Sequence, residues 1–278
     1  MLQSFWYQLG RLLVYFYVRF IVRADIHRDA PMPRGAKIIA VNHPSTNDPA
    51  FITALSGEHM TILIKDTVFK VPLFGRSLRM AGHVPVIAGQ GRAALEEGMR
   101  LLRAGRTVMI FPEGVISPDD SFAKAHTGVA RLALATGVPV IPVGISLDAG
   151  KVNRIHKMID GELEPISWYL RGPYAMTVGQ AQRYHGSLED HGQVRAVTQQ
   201  IMQEISLLHA RGKQRLAFRS VRDPRVGLAN PGTTLNVAWK GTRLGFHQSA
   251  RMIGNTRMFQ MAESAAVFLM MFARQLVG

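Results

Sequence analysis

A chain of 278 residues, 47% of them hydrophobic, is long enough to bury one large α/β core with or without appendages. With no cysteine, it excludes disulfides, thiol catalysis and thiolate metal sites. A formal net charge of +14 calls for an anionic partner: nucleic acid, an acidic protein or an anionic membrane surface. The N-terminus favours the membrane among these. The aromatic-rich run Phe5 to Val22 is interrupted by Gln8, Gly10, Arg11 and Arg19, whereas a spanning helix needs about 20 apolar residues in succession. At about 100° per residue, Arg11, Arg19 and Arg23 fall within an arc of about 120°. Aromatics with basic residues on one face predict a helix lying in the headgroup region, and a core-packing helix is the alternative. The charge and cleavage pattern of a signal peptide is absent.

From about 36 to 211 the chain alternates strand-like and helix-like stretches. Candidate strands are Lys37–Val41, Thr61–Lys65, His83–Ile87, Arg106–Ile110, Val138–Ile145 and Ala175–Val178; helical stretches lie near 49–56, 90–103, 125–136 and 190–211. Asp48-Pro49 reads as an N-cap followed by proline at the first helical position. Gly105 and Gly137 stand where left-handed helix stops belong. Such alternation predicts an α/β fold, with a largely parallel central sheet flanked by helices. Three regions follow: 1–28 as a membrane-associating N-terminal helix, 29–211 as the main domain, and 212–278 as a basic C-terminal extension. The extension carries ten Lys/Arg against two Asp/Glu, +8 of the +14. Residues 220–256 take no assignment, and Met258 to Val277 reads as a closing apolar helix.

Two short motifs stand just past strand ends, where α/β folds collect their chemistry. Asn42-His43-Pro44-Ser45-Thr46-Asn47-Asp48 is an N-H-x4-D segment, and Phe111-Pro112-Glu113-Gly114 closes a later apolar run. A histidine and an aspartate at this spacing make a base with its orienting carboxylate. Between them lies Gly82-His83-Val84-Pro85-Val86, and beyond them Val138-Pro139-Val140-Ile141-Pro142-Val143, whose prolines point to a sheet edge or a bulge. These four blocks, in this order, resemble the glycerolipid acyltransferases of the 1-acylglycerol-3-phosphate O-acyltransferase type over roughly residues 36–180.

The resemblance implies transfer of a fatty acyl chain from acyl-CoA or acyl carrier protein to a hydroxyl of a glycerolipid or lysolipid. His43 would take the hydroxyl proton and Asp48 would fix its tautomer, the logic of a serine-protease dyad with the substrate hydroxyl replacing the enzyme serine. Glu113 and Gly114, with Asn42 and Ser117, would bind the acceptor, Gly114 letting backbone N–H groups come close. The sequence departs from the family at two positions where an arginine ligand for an acceptor phosphate is expected, which hold Ala88 and Ile116. Arg92, Arg76, Arg79 and Lys124 are candidate replacements, Arg92 foremost. The acceptor headgroup, phosphate or otherwise, stays open.

Two other classes of function compete. Gly89-Gln90-Gly91-Arg92-Ala93-Ala94, followed about twenty residues on by Glu113, matches a dinucleotide-binding fingerprint in which Gly89, Gly91, Ala94 and Glu113 would serve an oxidoreductase. Against it, Pro112 breaks the strand before the acid, and the motif starts far into the fold. A basic membrane-binding protein without activity would explain the charge but not the ordered blocks. No zinc spacing, Walker loop or basic zipper occurs. The expected protein needs no metal or redox cofactor, binds no nucleic acid, and sits as a peripheral or monotopic enzyme on the cytoplasmic membrane face.

Overall fold

The computed structural model describes residues 2–71, 74–117, 121–159 and 161–222. In chain order the elements are α1 (Leu2–Phe16), a π-helical turn (Tyr17–Val22), β1 (Asp25–Arg28), β2 (Lys37–Val41), α2 (Asp48–Ile52), β3 (Met60–Lys65), α3 (Phe74–Met80), β4 (Val84–Val86), α4 (Gly91–Arg103), β5 (Thr107–Ile110), α5 (Gly128–Thr136), β6 (Val140–Leu147), β7 (Asn153–Ile159), β8 (Glu162–Trp168), β9 (Tyr174–Val178) and α6 (His191–Arg222). Seven strands form one sheet in the order β1-β9-β6-β2-β5-β3-β4, and β7 and β8 make a separate antiparallel hairpin. The β2, β3, β4, β5 and β6 strands are mutually parallel; β9 runs antiparallel to β6 and carries β1 beside it in its own direction. The expected α/β fold with a largely parallel sheet and flanking helices is therefore present.

The central strands explain themselves. Lys37–Val41 and Thr107–Ile110 are buried at every position, as strands covered on both faces must be. Alternate side chains then sort into two cores. Ile39, Val41, Met109, Ile141 and Val143 pack with Phe51, Ile52 and the turn residues Tyr17, Val18 and Val22. Ile38, Ala40, Val108, Ile110 and Val140 pack beneath α4, α5 and α6. Gly144 lets α6 cross β6 closely: a Cβ there would lie 2.2 Å from the His209 backbone nitrogen. The predicted stops hold, with Gly105 at φ 81° and Gly137 at φ 63°.

Of the two readings offered for the proline block, the bulge is right and the edge is wrong. β6 lies inside the sheet, but the ladder steps from Val143↔Val178 to Val140↔Gln182, one residue longer on the second side. Pro142, which has no N–H to give, sits at that irregularity.

The ends of the chain differ from the expected divisions. The segment assigned wholly to a helix, 1–28, includes β1, and Arg23 leaves the π-turn at φ 54°, with its N–H on the Val18 carbonyl. The α1 helix packs inward through Tyr7, whose hydroxyl accepts from the Met60 N–H at 2.9 Å, while Leu9, Leu12, Tyr15, Phe20 and Ile21 face outward. No helix among the described residues is long and apolar enough to cross a membrane. The α6 helix runs past 211 to Arg222. Two of its basic residues are engaged with β1 and its flank: Arg211 makes a bidentate pair with Asp29, both contacts at 2.7 Å, and Arg215 approaches Asp25 at 3.3 Å. The closing helix expected at 258–277 lies outside the described residues.

Candidate active site

Because β2 and β5 are adjacent and parallel, the segments after Val41 and Ile110 emerge side by side at the same edge of the sheet. The His43 N–H points to Glu113 Oε1 at 3.3 Å, and the His43 carbonyl accepts from the Ser117 N–H at 2.8 Å. The Phe111 ring stacks on the His43 imidazole, with centroids 4.2 Å apart and planes 24° from parallel. From the other side β8 grips the same loop. Thr46 N–H donates to the Ser167 carbonyl at 2.8 Å, Ser167 N–H to Thr46 Oγ1 at 2.9 Å, and Tyr169 N–H to Asn47 Oδ1 at 2.8 Å.

Within this frame His43 Nδ1 lies 3.1 Å from Asp48 Oδ2. Asp48 is fully buried, and the His43 side chain retains 15% exposure. The expected capping role of Asp48 is not seen: Asn47 is the N-cap of α2, without a side-chain cap bond. The Asp48 carboxylate instead turns back on its own loop. Oδ2 accepts from the Ser45 N–H at 2.6 Å; Oδ1 accepts from Ser45 Oγ at 2.7 Å and from the Tyr174 hydroxyl at 2.8 Å. With a carboxylate oxygen facing Nδ1, the ring proton belongs on that nitrogen and the Nε2 lone pair is left for a substrate proton.

The residues expected on the acceptor side divide differently. Glu113 is buried, and both oxygens are taken by the protein: Ser117 Oγ lies 2.8 and 2.9 Å from them, and the Ala123 N–H donates to Oε2 at 2.6 Å. Glu113 and Ser117 therefore brace the loop under His43 and do not point at an acceptor. Asn42 is likewise spent on the sheet, since its amide exchanges two bonds with the Ile145 backbone at 3.0 and 2.7 Å. Gly114 is exposed at φ 66°, with its N–H on the Phe111 carbonyl at 3.0 Å and His126 beside it. That bond removes this N–H as a donor to a reacting carbonyl.

The candidate cations are dispersed. Arg92 is 92% exposed on α4 and pairs with Glu96 at 2.8 Å, so it is not joined to the dyad. The Arg79 guanidinium lies over Phe69, 5.6 Å from the ring centroid. Exposed Lys124 lines a cleft of about 420 Å³ with Thr127 and Arg195, bordered by Ala123, whose N–H holds Glu113.

The dinucleotide reading fails on topology. Its glycines connect the edge strand β4 to α4, but β3 lies between β4 and β5. Glu113, after β5, is thus not on the neighbouring strand that the fingerprint requires, and its carboxylate is already occupied. Among the described residues no cluster of His, Asp and Glu is arranged to hold a metal.

Sequence reading missed Ser45, Phe111 and Tyr174. The first two lie within or beside the motifs, where a hydroxyl and a ring next to a histidine were visible. Tyr174 is 126 residues from Asp48, and only the topology brings them together.

Part of the chain is similar to known proteins. Residues 23–146 match the family model described as Acyltransferase. Over that region the chain is similar to acyltransferases of the glycerolipid 1-acylglycerol-3-phosphate type. The chain is 32% identical over 114 residues to "1-acyl-sn-glycerol-3-phosphate acyltransferase BAT2, chloroplastic" of Brassica napus, covering 40% of this chain and 33% of that one. It is 34% identical over 124 residues to the lyso-ornithine lipid O-acyltransferase of Pseudomonas aeruginosa, covering 44% and 47%. Similarity thus spans between a third and a half of these relatives' lengths. The crystal structure of the 1-acyl-sn-glycerophosphate acyltransferase PlsC from Thermotoga maritima aligns with a TM-score of 0.49 at 22% identity, over 71% of this chain and 80% of that one.

Proposed function

We propose that this protein is an O-acyltransferase that moves a fatty acyl chain from a thioester donor, acyl-CoA or acyl carrier protein, to a hydroxyl of a lysolipid. The observation that carries the reading is the His43–Asp48 pair, with Nδ1 turned to the carboxylate and the ring on a loop at the sheet's C-terminal edge. His43 Nε2 removes the acceptor hydroxyl proton as that oxygen attacks the thioester carbonyl. The imidazolium so formed is stabilised by Asp48. When the tetrahedral intermediate collapses, the C–S bond breaks and the departing sulfur takes the proton back, releasing a thiol and an ester. No acyl-enzyme is needed.

The relatives' printed acceptors, 1-acyl-sn-glycerol-3-phosphate and a lyso-ornithine lipid, support a lysolipid class and leave its headgroup to this chain's own residues. Ala88 and Ile116 offer no guanidinium, and Arg92 is turned to Glu96. Lys124 and Arg195 are the cations that share a cleft bordering the Glu113 brace. The outward apolar residues of α1 and its π-turn, with exposed Arg19 among them, support docking on an anionic membrane surface, where the acceptor resides. The test is incubation with labelled acyl-CoA or acyl carrier protein and a panel of lysolipids bearing phosphate, zwitterionic and uncharged headgroups. A labelled diacyl product supports the reading; no product with any pair opposes it.

A further inference from the structure

Asp48 orients His43, and two other residues orient Asp48 in turn. Ser45 belongs to the same loop and moves with it. Tyr174 does not: it sits in β9, paired with Leu147 of β6, with no exposed surface. Its ring meets Phe51 of α2 edge-on at 5.4 Å and 77°, and lies 5.6 Å from the Tyr169 ring. Phe51 in turn packs against Tyr17, 5.9 Å away. The Tyr174 hydroxyl reaches Asp48 Oδ1 at 2.8 Å. It is thus the side-chain donor that ties the dyad's carboxylate to the sheet, from a strand beyond the region that matches the family.

We propose that Tyr174 is a positioning residue for the reaction, acting through Asp48 on His43. Its hydroxyl holds the carboxylate in the rotamer that presents Oδ2 to Nδ1, and it takes up part of the carboxylate's charge on the other oxygen. A donor fixed to a rigid strand keeps that geometry while substrate enters and leaves. Burial, and then the adjacent Asp48 charge, push the Tyr174 phenol well above its usual range, so it stays a donor throughout the working pH range. Besides Asp48, the titratable group packed against it is the phenol of Tyr169, itself raised by burial. The proposal rests on the acyltransferase reading for its effect on turnover, but the contact itself is testable without activity.

The test is Tyr174→Phe, which keeps the ring and removes the donor. Turnover should fall about tenfold, in line with a hydrogen bond to a charged group, while KM for donor and acceptor stays unchanged. With the carboxylate charge no longer shared, the His43 imidazole should titrate at higher pH, followed by NMR and assigned by the signal missing from His43→Ala. The acid limb of kcat/KM should move with it. In an Asp48→Asn background Tyr174→Phe should cost nothing further. A folded Tyr174→Phe protein with unaltered kcat and unaltered His43 titration overturns the proposal, as does an equal loss with and without Asp48. If the variant does not fold, the wild-type Tyr174 hydroxyl proton decides: its chemical shift must follow the His43 titration, and indifference to it refutes the coupling. Absence of transfer by the wild type sinks the acyltransferase reading instead, and leaves the NMR comparison to judge Tyr174.

Discussion

The Ser117 hydroxyl lies between the two carboxylate oxygens of Glu113, at 2.8 and 2.9 Å, while its backbone N–H holds the His43 carbonyl at 2.8 Å. One serine thus links the carboxylate after β5 to the base after β2. Glu113→Gln would turn one acceptor oxygen into a donor facing the N–H of Ala123 or of His43. A buried mismatch of this kind costs about 1–3 kcal/mol, so turnover should fall roughly five- to a hundredfold with a lower Tm. The acceptor KM should hardly change. A large rise in acceptor KM with normal kcat would show that Glu113 contacts the acceptor after all.

Two glycines, one under a helix crossing and one beside the site, predict different costs. Gly144→Ala would place a Cβ 2.2 Å from the His209 backbone nitrogen; α6 must lift from β6, at about 3 kcal/mol or more. Gly114→Ala keeps its Cβ 3.1 Å from the His126 ring edge but must hold φ 66°, at roughly 1–2 kcal/mol. Denaturant midpoints measure both. His126→Ala should relieve only the contact share of the Gly114→Ala cost.

Acid stability depends on His83. Its ring is desolvated, with His59 nearby, and its pKa is lowered from 6.5 to about 4; Nδ1 accepts from the Ile62 N–H at 3.3 Å. The unfolded chain therefore binds this proton first as pH falls. The stabilising contribution is complete above about pH 6.5 and drains away between there and about pH 4, to a limit on the order of 3 kcal/mol. His83 keeps some surface exposure, which reduces that figure. Stability of wild type should drop across this window by urea titration, and His83→Gln should flatten the slope. An equal slope in both would reassign the effect to another group.

Much of this was readable in the sequence because parallel strands buried on both faces leave unbroken apolar runs, as in Lys37–Val41 and Thr107–Ile110. Polar residues that follow such runs are conspicuous. His43 and Asp48 were singled out for that reason, whereas the prolines of β6 left an edge and a bulge equally open. The roles of Glu113, Ser117 and Asn42 were not readable, since motif position does not say whether a side chain faces a substrate or the protein's own N–H groups. The β7–β8 hairpin was missed because its apolar residues fall on both faces. Ile155, Ile159, Ile166 and Trp168 pack toward Val71, while Met158 and Leu163 point out, which blurs the period-two signal. Tyr174 carries no local mark at all.

Membrane docking is tested on the outer face of α1 and its π-turn. Deleting the segment would unseat Tyr17, Val18 and Val22 from the core, so point changes are cleaner. Leu12→Glu with Phe20→Glu, at residues 45% exposed, should release the protein from phosphatidylglycerol-containing vesicles without lowering Tm. High salt should weaken wild-type binding but not abolish it, because screening leaves the apolar contribution. Undiminished sedimentation of the double variant with vesicles would place the contact elsewhere.

The central claim is that His43 is the base for acyl transfer, and it is tested most directly by His43→Ala with donor and acceptor saturating. A positioned base contributes about 10²–10⁴-fold, so the rate of labelled ester formation should fall by that factor while Tm and vesicle binding stay at wild-type values. Near wild-type turnover by a folded His43→Ala protein would contradict the mechanism.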